Sequence, residues 1–237
     1  NESLPIYPAS NLPTQLRDIA GDILRSNEDS YPISYIRDGK SANIKLKVHD
    51  TKSLDFYYWY RRDPDGQSFK MLDGNIGYVT LKNIKQDDVP EIEKAFKDTK
   101  GIVVDIRNYP SAFMVFSLGK FFTSAPSPFV KFSSGNVQNP GEFQFGEILK
   151  VGEENPDAYK GKVIVIVNEI SQSQAEYTSM AFRAGDNVQI IGSTTAGADG
   201  NISRISLPGG MSTMISGIGV YYPDGKETQR IGIVPDV

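Results

Sequence analysis

Chemistry in this chain has to be done with oxygen. Its 237 residues contain no cysteine and a single histidine, His49, which excludes thiolate nucleophiles, disulfides, cysteine-ligated zinc and any site built from several imidazoles. What remains is Ser, Thr, Tyr, Asp and Glu. These types are concentrated in Asn168-Glu169-Ile170-Ser171-Gln172-Ser173-Gln174-Ala175-Glu176, where hydroxyls follow an apolar run and precede a helical one. A serine at a strand-to-helix turn has the address of a nucleophile, because the helix N-terminus presents unpaired amides that can hold a developing oxyanion. Ser173 with Glu176 three residues on also fits an ordinary capping box. The two roles are compatible, and residue types alone do not separate them. A second turn of this kind, Arg107-Asn108-Tyr109-Pro110-Ser111-Ala112, follows Ile102 to Ile106. Asp105 and Arg107 beside it read as a structural ion pair at a strand end. His49, next to Asp50 on a hairpin strand, is not expected to be catalytic. Gly197 to Gly200 and Gly209-Gly210 match neither GxGxxG nor GxxxxGK[ST], so they read as turns and no phosphate loop is present.

These turns need a scaffold, and the apolar spacing supplies one. Leu16, Ile19, Ala20, Ile23 and Leu24 recur at helical intervals between Leu12 and Ser26, with Pro13 early, which predicts an amphipathic helix. Tyr31 to Arg37 and Ala42 to Val48 flank Asp38-Gly39, the signature of a two-residue hairpin turn. Lys52 to Asp73 is aromatic and charged and reads as a connector, with a turn at Asp63 to Gly66. From Asn75 the rhythm is strand, helix, strand: Ile76 to Leu81, Val89 to Lys97, Gly101 to Ile106. It resumes after a Pro- and Gly-rich stretch, Ser124 to Gly152, with Val163 to Val167, Ser173 to Ala184 and Val188 to Ile191. Such alternation predicts an α/β fold on a largely parallel sheet. Three short strands near the end, Ile202 to Leu207, Ser212 to Ile215 and Gly219 to Tyr222, predict an antiparallel addition.

Composition narrows the partners. Lys and Arg total 25 against 29 acidic residues, a net charge of −4, without the basic excess that binding a phosphate backbone exploits, so nucleic acid is not an expected partner. No apolar run approaches the roughly 18 residues of a membrane helix, so no transmembrane segment is expected. Nothing here would hold a cofactor or a metal firmly; carboxylates would at most collect calcium weakly. The absence of cysteine does not locate the protein, since cytosolic and disulfide-free exported chains share it. The chain opens on Asn1 with no signal peptide, and is read as a processed or engineered fragment.

Together the segments resemble the C-terminal processing (tail-specific) serine protease family and its tricorn-core relatives, in particular the exported peptidase branch. The resemblance is carried by Asn75-Ile-Gly-Tyr-Val-Thr-Leu81, by Gly101-Ile-Val-Val-Asp-Ile-Arg-Asn-Tyr-Pro110, by Ser173 to Glu176, by Ile190-Ile-Gly-Ser-Thr-Thr-Ala-Gly197, and by Pro223-Asp-Gly225 followed by Gly232-Ile-Val-Pro-Asp236. It implies a crotonase-like (ClpP/crotonase-type) βα spiral sheet, with residues 1–52 the rear half of a PDZ-like module, 53–74 a connector and 75–237 the peptidase core. It makes Ser173 the nucleophile, makes the backbone amides of Gln174 and of Ser111 or Ala112 the oxyanion donors, and gives Glu176 and Gln229 supporting places. The implied substrate is a peptide or unfolded protein. The implied location is the periplasm, cell envelope or exterior of a bacterial cell, with a lipid anchor on a leader absent here.

Two departures bear on mechanism. The processing proteases place a general-base lysine 25 residues after the serine, where this chain has Ala198. Tricorn-like relatives use a histidine preceding the PDZ module, which would lie upstream of Asn1, and a glutamate where this chain has Gln229, with Glu227 a poor substitute. A serine without its base loses most of its nucleophilicity, so this chain alone is expected to be nearly inert, and it reads as trimmed at both ends. A non-catalytic peptide-binding scaffold is the main alternative; an acyl-thioester hydratase on the related fold is the weaker one.

Overall fold

The computed structural model describes residues 7–55 and 66–237. Helix α1 (Leu12–Asp22) starts where the Asn11 side chain accepts from the Thr14 amide and ends four residues short of Ser26. The face expected inward is largely open, with Leu16 51% and Leu24 49% exposed. It is the polar face that docks: Asn11 Nδ2 donates to Thr195 O (2.7 Å) and Arg17 to Glu169 O (2.8 Å). Strands β1 (Ser30–Arg37) and β2 (Lys40–Lys47) pair antiparallel across Asp38-Gly39, both at positive φ (52° and 72°), as a tight hairpin turn requires.

The core is built on a five-stranded sheet. Strand β3 (Phe69–Leu72) pairs antiparallel with β4 (Ile76–Thr80), and β4 runs parallel to β5 (Gly101–Asp105). Helix α2 (Val89–Phe96) links β4 to β5 and buries Val89, Ile92 and Phe96. Gly77 lies under that helix, where a Cβ would come within 2.6 Å of the Phe96 ring. Strands β6 (Ser127–Gly135), β7 (Phe143–Phe145) and β8 (Leu149–Val151) come next, and then β9 (Lys162–Val167), α3 (Gln174–Arg183) and β10 (Val188–Gly192). The sheet order is β10-β9-β5-β4-β3, with β3 alone antiparallel. Near-continuous apolar strands such as Val163–Val167 suit a sheet covered on both faces. Phe122, Phe129, Phe182 and Met180 fill the space on the α3 side.

The tail holds β11 (Ile202–Ser206) and β12 (Ser212–Ser216), paired among the described residues only with each other, and β13 (Ile218–Tyr221), antiparallel to β6. The connector contains β3, which completes the sheet edge. The Pro- and Gly-rich stretch contains β6, β7 and β8, held by pairing with β13 and with one another rather than by any local alternation. The aromatic run Phe56 to Tyr60 and most of the Asp63 to Gly66 turn lie outside the described residues.

Candidate active site

Neighbouring parallel strands that end level with one another place their outgoing turns side by side. Asp105 at the end of β5 is in register with Ile166 near the end of β9. The turn 107–112 and the turn 168–173 therefore leave the same edge of the sheet together, where ligands of open α/β sheets gather. Ser171 ties them: its hydroxyl donates to Ile106 O (2.7 Å) and accepts from the Asn168 amide (3.1 Å).

Ser173 sits immediately before α3 with φ 54° and ψ −118°. A non-glycine residue in that region is strained by roughly 1–3 kcal/mol and persists only where its surroundings over-determine it. The same conformation lifts a side chain out of a strand-to-helix turn. Glu176 reaches back to the Ser173 amide at 3.1 Å and the Ser173 side chain faces the Glu176 amide, the two halves of a capping box. Ser173 lines a cavity of about 410 Å³ with Gln174, Tyr177, Tyr109, Phe113, Phe132 and Asp199, among others.

The two amide elements meet here as well. Gln174 Nε2 donates to Ala112 O at 2.9 Å and so pins the 107–112 turn to the start of α3. The Ser111 amide donates to Leu81 O at 2.9 Å. That amide is committed to the backbone, which leaves Ala112 as the candidate donor of the pair.

Glu176 is fully buried and accepts four hydrogen bonds: from Thr195 Oγ1 (2.6 Å), Gly197 N (2.7 Å), Ala198 N (2.9 Å) and the Ser173 amide (3.1 Å). Burial raises its carboxyl, and these donors work against that rise. With its lone pairs spent, it is a clamp between α3 and the 195–198 loop. Gly197 lets that loop pack against the chain at Arg230, since its φ is 66° and a Cβ there would lie 3.0 Å from the Arg230 carbonyl carbon. Gln229 is also a brace. Its Nε2 donates to Asp199 O (2.8 Å) and Ile218 O (2.9 Å), and its Oε1 accepts from Val220 N (3.3 Å). A glutamate could make neither of the first two bonds.

Asp199, read in the sequence as part of a Gly-Ala-Asp-Gly turn, is 5% exposed and lines the Ser173 cavity. Its Oδ1 accepts from the Gly200 amide (2.7 Å), and its Oδ2 is buried with no hydrogen-bond partner among the described residues. Burial first, then the nearby charge of Glu176, pushes its carboxyl up to about 7 against the pull of the Gly200 amide. Burial and the Asp199 charge push the Tyr177 hydroxyl up to about 12. No motif carries Asp199; only its position in the folded chain marks it.

The remaining candidates lie elsewhere. Arg107 grips Asp105 through Nε (3.0 Å) and a terminal nitrogen (2.7 Å), and Tyr78 donates to the same carboxylate (3.0 Å). Burial of Asp105 is outweighed by the Arg107 contacts, which hold its carboxyl low, so the pair is structural. His49 lies past the end of β2, in the groove between α1 and the hairpin. Glu227 lines a separate cavity with Gln229 and Arg230, a space that also touches Asp199.

A parallel-sheet edge bearing a strained serine at a helix start, with a second turn pinned beside it, is a place where a serine hydroxyl can meet a ligand. Residues 75–237 match the sequence profile of Peptidase family S41, and the chain belongs to that family. It is 21% identical over 233 residues to the carboxy-terminal processing protease CtpA of Bacillus subtilis, covering 94% of this chain and 48% of that protein. It is 24% identical over 176 residues to a carboxy-terminal-processing protease of Bartonella bacilliformis, covering 70% of this chain and 39% of that protein. The chain thus spans about half the length, or less, of these relatives. In fold it is similar to mature CPAF complexed with lactacystin (TM-score 0.61, 13% identity, 89% of this chain and 63% of that one). It is also similar to the photosystem II D1 C-terminal processing protease (TM-score 0.51, 17% identity, 83% of this chain and 51% of that one).

Proposed function

We propose that this chain is the core of a serine-type endopeptidase that cleaves peptide bonds through Ser173. The observation that carries the reading is the backbone of Ser173, held at φ 54° at the mouth of a cavity with its helix start pinned to the Ala112 turn. Ser173 Oγ would attack the scissile carbonyl carbon, and the amides of Gln174 and Ala112 would hold the oxyanion. Peptides or unfolded segments are the substrates in this reading, with aromatic walls, Tyr109, Phe113, Phe132 and Tyr177, to receive a side chain.

The finer architecture belongs to the same proposal: 75–237 as a crotonase-like spiral, 1–52 as part of a PDZ-like module and 53–74 as the link between them. So does a periplasmic, envelope or extracellular location. Family membership and the match to processing proteases support these assignments. The test is covalent labelling with a fluorophosphonate, which reports an activated serine. The full-length gene product is expected to label, and Ser173→Ala to abolish labelling. A full-length product that binds peptides yet stays unlabelled would make this a peptide-holding scaffold, the reading that Ala198 and the bracing role of Gln229 favour.

A further inference from the structure

We propose that Asp199 is the proton acceptor of the Ser173 pocket and supplies, from within this chain, the base that is missing at Ala198. The inference rests on the reading of Ser173 as nucleophile. Its footing is geometric. The Ser173 and Ala198 amides donate to one and the same oxygen, Glu176 Oε2, at 3.1 and 2.9 Å, so the residue next after Ala198 is delivered to the serine's side of the cavity. Asp199 lines that cavity with Ser173, is only 5% exposed, and keeps one oxygen unpartnered among the described residues. A buried carboxylate oxygen left without a donor costs the fold several kcal/mol, and the Ser173 hydroxyl, whose proton the capping box with the Glu176 amide does not use, is a donor lining the same cavity.

The other candidate bases do not compete. Glu176 has four donors on it, and Glu227 and His49 line other cavities. The ionisable groups around Asp199 are Glu176 and Tyr177 from α3, Tyr109 from the turn after β5, and Tyr221, Glu227 and Arg230 across the second cavity. Burial and the Glu176 charge bring the Asp199 carboxyl to about 7, near the value at which a general base is both deprotonated and basic at neutral pH.

Asp199 takes the proton as Ser173 Oγ bonds to the carbonyl carbon and the carbonyl electron pair moves onto oxygen. When the pair returns, the C–N bond breaks and the proton passes to the departing amine. Water then attacks the acyl carbon, gives its proton to Asp199, and the acyl C–O bond breaks as that proton returns to Ser173 Oγ.

The experiment measures the fluorophosphonate labelling rate of the 237-residue chain from pH 5 to 9, alongside Ser173→Ala, Asp199→Asn and Asp199→Glu. The expected result is Ser173-dependent labelling that climbs with pH and levels above about 7. Asp199→Asn is expected to lower the plateau by roughly 100-fold and to abolish the climb, the loss typical of a removed base. Asp199→Glu keeps an acid and is expected to retain a climb with a lower plateau; it carries the test if the asparagine variant does not fold. A wild-type rate and profile in either variant overturns the proposal. An unlabelled wild-type chain overturns it too, and the full-length product then judges the peptidase reading separately. Ser173-dependent labelling there would mean the base lies outside this chain, while no labelling there would remove both readings.

Discussion

Ser173 holds its place at a cost, and that cost can be measured. A residue with a Cβ at φ 54° is strained, whereas glycine occupies that region freely. Ser173→Gly and Ser173→Ala both remove the hydroxyl, but only the glycine variant relieves the backbone. In urea titrations Ser173→Gly is expected to be more stable than Ser173→Ala by about 1 kcal/mol. Equal stabilities would mean that the turn is not strained and that the nucleophile reading has lost its structural signature. The neighbouring carboxylates were unevenly legible in the sequence. Glu176 could be placed from the Ser-x-x-Glu spacing, though as a cap and not as the four-donor clamp it is, because its other three donors come from the 195–198 loop. Asp199 could not be placed at all, since an acid between glycines has the composition of a solvent turn and only tertiary packing buries it.

At the scale of elements, periodicity was a good guide where one element buries one face and a poor one where pairing is remote. Strands β4, β5, β9 and β10 and helices α2 and α3 lie within a residue or two of where their apolar spacing puts them. The β1–β2 hairpin follows from its Asp-Gly turn. Strand β6 opens Ser-Pro-Phe and has a register shift between Pro128 and Val130, so it shows no clean alternation, and its order comes from β13, more than 80 residues later. Helix α1 reversed its expected polarity because Asn11, Thr14 and Arg17 find carbonyl partners on the core, while Leu16 and Leu24 stay about half exposed. Among the described residues strands β11 and β12 have no partner beyond each other, and Ile202, Met214 and Ile215 on them are more than half exposed. An isolated two-stranded ribbon is marginal in water, so its amides open locally rather than globally. Hydrogen exchange followed by mass spectrometry is expected to exchange 202–216 at least about 100-fold faster than β5 and β9, the difference a few kcal/mol of local stability makes. Matching protection would show that the ribbon is packed against something in solution.

For the molecule as a whole, the burial of Asp199 couples stability to pH, and its sign opposes that of an ordinary salt-bridged acid. The carboxyl stands at about 7 in the fold and at 3.8 in an ordinary setting, so the folded state holds a proton that the unfolded state has released. The stability this confers is complete below about pH 4, declines as pH rises and is gone above about 7, where the chain buries a charge. Each tenfold of that proton affinity is worth about 1.4 kcal/mol, so the full swing is on the order of 4 kcal/mol. Burial also raises Glu176, with its donors opposing, and its contribution has the same sign, so the wild-type curve alone would mix the two. Asp199→Asn separates them, because it removes one titration while leaving the Glu176 clamp in place. Urea denaturation at a series of pH values is therefore expected to show the asparagine variant gaining on wild type between pH 4 and 7, by a few kcal/mol at the upper end. A difference that stays flat with pH would mean that Asp199 is ionised in the fold at all pH values in that range. It would then have a partner or solvent access, and would be too weak a base for the part proposed for it.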